Sequence, residues 1–269
     1  MMKSILHSDY WVEIPAGEFL IGISPEQEKA ISNRMNEQFG RDFFDLWKKR
    51  KIEEARWRQF DQKIEYLDRF YISRFQFTPT QVTAILDGKP ISEILGALEE
   101  PDIIKTSYGD RGYSGRTIAA GHHNLAEIVC KALEVRLPSD MEWEKAARGT
   151  DGRLYPWGDE WDPEAGWFYR GRYRTYQEMK GKDRVDAYPR GISPYGVYGM
   201  VGYLPQFVGN FPWPGARGTH PAETTAEMAW IDHMIPFAHK SGEYISLRPV
   251  LDHWPQQQWQ GVDLPSNNT

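Results

Sequence analysis

A single thiol sets the first limit on what this chain of 269 residues can do. Cys130 is the only cysteine, so neither an intrachain disulfide nor a multi-thiol metal site can be assembled. Its neighbours Leu125, Ile128, Val129, Ala132 and Leu133 recur at the i, i+3, i+4 spacing of a buried helix face. A helical cysteine next to such a face reads as a small core residue rather than a nucleophile. Imidazoles and carboxylates are the next resource. His220, His233, His239 and His253 lie near Glu223, Glu227 and Asp232, donor types that suit zinc or non-haem iron. No H-x3-H or H-E-x-x-H spacing joins them, so they are expected as scattered surface or core histidines. "GHH" (121–123) reads as the turn before a helix. "GDRGYSGR" lacks the Gly-Lys-Ser/Thr ending of a phosphate-binding loop, and no G-x-S-x-G elbow occurs. No catalytic residue and no metal ligand is expected.

The sequence concentrates contact chemistry instead. "NFPWPGARGTHPAE" (210–223) and "MAWIDHMIPFAHK" (228–240) bring Trp213, Arg217, His220, Trp230, His233, Met234 and Phe237 into loops near the C-terminus. Trp and Arg are the residues most enriched at binding hot spots, and Met suits an adaptable surface. Some of these rings are also expected to fill the core of a sheet-poor fold. A net charge of −6 excludes a strong field for nucleic acid. No stretch approaches the ~20 apolar residues of a membrane helix, and "MMKSILHSDYWVEIP" lacks the apolar run of a signal peptide. The expectation is a soluble, cytoplasmic protein with a protein or peptide partner, without nucleic acid or membrane.

The elements that must position these groups follow from local patterns. "YWVEIPAGEFLIGI" (10–23) alternates around Pro-Ala-Gly-Glu and predicts a hairpin. Ser24, Pro25 and Gln27 start a helix with a capping box, and Ile31, Met35, Phe39, Phe43 and Trp47 make a slowly drifting stripe that Gly40 divides. The charged segment 24–62 reads as a helical insertion and a docking arm for a larger assembly is its alternative. "KIEYLDRFYISRFQFT" (63–78) has strand composition, and Thr78 caps a helix facing inward with Val82, Ile85 and Leu86. Asn124 is expected to cap the helix that holds Cys130. In "RLPSDMEWEKAARG" (136–149), Ser139 and Glu142 form a second capping box, Trp143, Ala146 and Ala147 the inner stripe, and Gly149 the stop. Beyond it turns dominate. The reading is one α+β domain over 1–254 with a polar tail at 255–269.

Several of these segments together resemble the formylglycine-generating enzyme family, also called the sulfatase-modifying-factor domain. They are "WVEIPAGEFLIGI", "YLDRFYISRFQFTPTQVTAIL", "AEIVCKALEVRLPSDMEWEKAARGTDGRLYPWGDEWDP" and "ISPYGVYGMVGYLPQF", the last similar to N-x-F-G-L-Y-N-M-V-G-N-V-W-E-W. "GEYISLRPV" stands where the family reads S-x-x-x-G-F-R-C. The resemblance implies a C-type-lectin-like α+β fold in which Arg136, Trp143, Glu144, Arg148, Trp157 and Gly158 are scaffold. It implies that oxidising members hold copper between two cysteines near the C-terminus, since Cu(I) is soft and two sulfurs hold it linearly. This chain has no cysteine beyond Cys130, so formylglycine-generating oxidation is not expected. The resemblance also implies calcium sites. Their glutamate falls at Gln206 and their asparagine at Tyr203, so no cofactor is expected, with calcium the weaker alternative. The function expected is a non-catalytic recognition module, for which the family's thiol-free paralogue is a precedent. The alternative is a metal-dependent enzyme of the non-haem iron type.

Overall fold

The computed structural model describes residues 10–46, 49, 62–77, 82, 85, 123–168, 185–209, 215–218, 234–236 and 246–254. The first two strands, β1 (Trp11–Ile14) and β2 (Gly17–Ile21), form as the alternation predicts, but they do not pair with each other. β2 pairs with β3 (Lys63–Leu67), and β1 with β4 (Phe70–Ser73), both antiparallel. The register runs on across the break: Ile14 faces Phe70 and, three residues later, Gly17 faces Leu67. The expected hairpin is therefore one arm of a longer bent ribbon, 11–21 against 63–73. Pro15 has no N–H for a ladder, which explains an interruption of pairing without a reversal of the chain. β8 (Val250–Leu251) adds to the free edge of β4, giving a sheet of order β1-β4-β8.

Between the arms of the ribbon the chain makes an excursion, closed where the Gln62 N–H donates to the Ile23 carbonyl at 3.2 Å. Its helix α1 (Pro25–Phe39) starts with the predicted capping box between Ser24 and Gln27. Ile31 and Met35 are buried in the same cluster as Ile14, Phe70 and Trp143. Burying each such side chain is worth ~1.5–3 kcal/mol. Four-residue steps overshoot one helical turn by ~40°, so the stripe rotates outward and Phe39 is 39% exposed. The helix stops at Gly40, which adopts φ 109°. Asn36 Oδ1 then accepts the Phe44 N–H at 2.9 Å, and a new helical turn at 43–46 sends Phe44 back into the core. Trp47 and Thr78 lie outside the described residues.

Helix α2 (His123–Leu133) begins two residues earlier than predicted, so Asn124 lies within it instead of capping it. Its buried face is Ala126, Val129 and Cys130, with Ile128 and Leu133 at the margin and Ala132 exposed. Cys130 is thus part of the apolar face itself. Val82 and Ile85 pack in the same cluster. Helix α3 (Asp140–Arg148) keeps its predicted bounds, capping box and inner stripe, and Gly149 closes it with φ 78°. The turns after it are braced by Tyr155 stacked on Trp157, ring centroids 5.1 Å apart. The region read as turns contains a third small sheet: β5 (Gln206–Val208), β6 (Gly215–Arg217) and β7 (Met234–Pro236), paired in that order. Three-residue strands are too short to show a period-2 pattern.

The C-terminal strand is tied to the start of α3 through Arg136. Its backbone bridges Val250 in both directions, and its guanidinium holds Glu142 and Asp252. Burial pushes the Glu142 carboxyl up, but Arg136 and the Ser139 amide together bring it below its ordinary value. The Arg136 guanidinium lowers Asp252 as well. Both carboxyls sit lower in the folded chain than in the unfolded one. As pH falls the unfolded chain takes up protons first, and the stability they contribute drains away through their folded pKa values. Urea midpoints compared at about pH 6 and about pH 3.5 should therefore fall less in Arg136→Gln than in the wild type. Equal losses would mean that Arg136 does not set these two carboxyls.

Candidate functional site

Helix α3 carries charges on nearly every face, and most of them point inward. Asp140, Glu144, Lys145 and Arg148 are all buried. An ionised group in such a place must be paired or it costs several kcal/mol. Glu144 is the shared partner. Its Oε1 accepts the Gly22 N–H of the ribbon at 2.8 Å and lies 3.1 Å from Arg148 Nε, one turn along the helix. Its Oε2 accepts from Arg217 at 3.0 Å. Arg217, on β6, also donates to Asp140 and lies over the Trp143 ring, 5.8 Å from its centroid. Arg148 Nη1 reaches the carbonyls of Gly152 and Arg153 at 3.1 and 2.8 Å. Lys145 Nζ donates to the Pro15 and Gly17 carbonyls at 2.8 and 2.9 Å, where the ribbon's ladder is interrupted. One nine-residue helix thus fixes the ribbon bend, the following loop and β6.

A second buried centre adjoins it. Gln206 Oε1 accepts from Trp143 Nε1 at 3.0 Å and from Arg248 Nε at 2.6 Å. Gln206 Nε2 faces the carbonyls of Gly199, Met200 and Leu204 at 2.8, 3.2 and 3.3 Å. Arg248 spends its other donors on the carbonyls of Ser73 and Tyr198. Burial brings this guanidinium down to about 9.

The residues expected at a contact surface divide. Arg217 is 0% exposed and belongs to the paired network, so its place in a strand corrects the expectation of a loop contact. The reason is electrostatic: two buried carboxylates on α3 demand a cation, and Arg217 supplies it. Met234 likewise lies in a strand, β7. Trp213, His220, Trp230, His233 and Phe237 lie outside the described residues. The strands nevertheless fix where their segments attach. The Trp213 segment is bounded by Val208 and Gly215, and Phe237 follows Pro236, which faces Gly215. His220, Trp230 and His233 belong to the connection between Arg217 and Met234, which face each other at the other end of the sheet. With strands only three residues long, the two ends are ~7 Å apart.

The chemistry available among the described residues is limited. No group of three His, Cys, Asp or Glu that could hold a metal ion occurs among them. His253 is exposed, and His122, His220, His233 and His239 lie outside the described residues. Cys130 is 5% exposed, and burial, helped by Glu127, pushes its thiol up to about 12. A thiol so far above neutral pH is neither a nucleophile nor a ready metal ligand. One such group on a core helix does not fit a copper site that needs two thiolates. Sequence reasoning missed Asp140, Lys145, Gln206 and Arg248 as buried groups. The one available signal was the pair Glu144 and Arg148, four residues apart on a helix whose small alanines invite close packing.

A family profile described as sulfatase-modifying factor enzyme 1-like domain matches residues 6–211. The chain belongs to this family. Among curated relatives, the inactive C-alpha-formylglycine-generating enzyme 2 of Bos taurus is 34% identical over 84 residues, covering 29% of this chain and 28% of that protein. The formylglycine-generating enzyme of Mus musculus is 33% identical over 87 residues, 29% of this chain and 23% of its own. The hercynine oxygenase of Mycobacterium tuberculosis is 34% identical over 101 residues, 34% of this chain and 21% of its own. Each match covers less than a third of the relative's length.

The paired network makes a direct prediction. Replacing Arg217 by Met takes the shared cation away from two buried carboxylates, so Arg217→Met should lose ~3–5 kcal/mol in urea unfolding. In a double-mutant cycle with Glu144→Gln, the two losses should fall short of additive by at least ~1 kcal/mol. A variant of unchanged stability would return Arg217 to the contact surface.

Proposed function

We propose that this chain is a non-catalytic recognition module: a C-type-lectin-like frame of the sulfatase-modifying-factor family that binds a protein or peptide through its C-terminal loops. The observation that carries the reading is stoichiometric. The only thiol in the sequence is Cys130, and it is committed to the apolar face of α2. The similarity to a relative named as inactive supports the same reading. Trp213, His220, Trp230, His233 and Phe237 supply the contact groups, on segments that attach to the two ends of the β5-β6-β7 sheet. Arg217 holds that sheet to α3 and acts through it. A second contact uses the excursion 24–62, where Leu46 is 67% exposed. Among the described residues no helix is long and apolar enough to cross a membrane.

A second reading draws on the similarity to a protein named hercynine oxygenase. It makes the chain a metal-dependent enzyme of the non-haem iron type, with ligands from the histidines between 220 and 239. The two readings part on metal content and on binding. Peptides selected from a displayed library against the full chain should bind with affinities that Trp213→Ala or Trp230→Ala lowers by about tenfold or more, as for hot-spot residues. Melting temperatures of these variants should stay within about 2 °C of the wild type. Iron near one per chain, with no peptide recovered above background, would favour the enzyme.

A further inference from the structure

The loop 199–204 turns its backbone carbonyls inward, and the structure assigns them an unusual partner. The carbonyl oxygens of Gly199, Met200 and Leu204 converge on Gln206 Nε2. Gln76 Nε2 reaches two of the same three, Gly199 at 2.8 Å and Leu204 at 3.2 Å. Both glutamines are buried. In the family that this chain belongs to, a carboxylate at the Gln206 position implies calcium, a hard cation that collects carboxylate and carbonyl oxygens.

We propose that in this chain the paired amides of Gln206 and Gln76 do the structural work of such a cation, so that the 199–204 loop is complete without calcium. The orientation of Gln206 is set by chemistry. On one side stand the Trp143 indole N–H and the Arg248 guanidinium N–H, which can only donate. The amide oxygen must face them, and the NH2 must face the carbonyls. Turning Gln76 would aim its oxygen at two carbonyl oxygens, so its NH2 faces them too, and its buried Oε1 has no partner among the described residues. Each carbonyl has two lone pairs. Gly199 and Leu204 each face both amides, so the four N–H groups of the two amides are shared among three carbonyls. Among the described residues no carboxylate joins the cluster, and a fixed cation, Arg248, stands on the far side of the same amide. A divalent ion here would displace two sets of hydrogen bonds and gain no anion. The fit to calcium fails on donor chemistry.

The test is thermal unfolding of the full chain in about 5 mM calcium, above the range of the weakest calcium sites, against EGTA. The wild type should melt within about 1 °C in the two solutions. Gln206→Leu takes one amide from the three carbonyls, leaving Gly199 and Leu204 with Gln76 alone, and strips the Trp143 and Arg248 N–H groups of their acceptor. It should melt on the order of 5–10 °C lower, equally with and without calcium. Gln206→Glu puts carboxylate oxygen against the carbonyls and restores the demand for a cation; it should melt about 4 °C or more higher in calcium than in EGTA. A calcium response of the wild type that Gln206→Leu abolishes would overturn the proposal, because the ion would then sit at this amide. A Gln206→Glu chain indifferent to calcium, or a Gln206→Leu chain as stable as the wild type, would overturn it as well. A wild-type response that Gln206→Leu retains in full, on a lowered baseline, places the ion elsewhere and supports it.

Discussion

A carboxylate with no access to water has to be surrounded by donors, and Glu144 is the point at which this chain meets that requirement. Its two oxygens face the Gly22 amide, Arg148 and Arg217, and thus join the ribbon, the helix that bears it and the third sheet. Burying Glu144 together with Asp140, Arg148 and Arg217 is expensive, and apolar residues of similar volume would often serve stability as well. What the arrangement adds is definition. An apolar contact tolerates sliding, whereas a guanidinium held between Asp140 and Glu144 fixes the position of β6 within hydrogen-bond tolerance. Lys145 acts similarly on the ribbon, where it supplies donors to two carbonyls that the interrupted ladder leaves over. A fold with short strands and long connections has few long ladders to hold its shape, and buried polar ties make up the difference.

How far the sequence foretold this depends on the range of the interaction. Both capping boxes were legible, because Ser24 with Gln27 and Ser139 with Glu142 are three residues apart and make their own hydrogen bonds. The inner stripe of α3 was legible for the same reason. The partner of β1 was not. Alternation shows that Trp11–Ile14 is a strand, but Phe70–Ser73 wins it through a register carried over from β2 and β3. Arg217 was misplaced because residue type alone favours a surface, while its burial depends on two acids some seventy positions away. Gln206 was seen as a lost carboxylate. That its amide meets both donors and carbonyls required the loop 199–204 and Arg248 in place. The third sheet was invisible, since three residues cannot display a period.

Frame and chemistry separate cleanly in this protein. Of the residues that the family resemblance marks as scaffold, Trp143, Glu144 and Arg148 take part in the buried ties and Arg136 in a half-buried one. The positions that the same resemblance marks for metal are altered. The one thiol lies on a core helix, and the calcium glutamate is an amide. Scaffold residues are held by the energy of many mutual contacts, so losing any one is costly. A metal ligand is held only by the ion and the reaction it serves. A frame of this kind can keep its shape while the residues at its sites change.

This chain keeps the frame of its family, whose resemblance implies copper held by two thiolates, with Cys130 as its single thiol. Mass spectrometry of a cysteine-containing peptide incubated aerobically with the purified full chain and copper tests it most directly, with copper retained after dialysis measured on the same sample. The peptide thiol should stay intact, and copper should fall far below one per chain. Conversion of that thiol to an aldehyde over repeated turnovers, or one tightly held copper per chain, would contradict it.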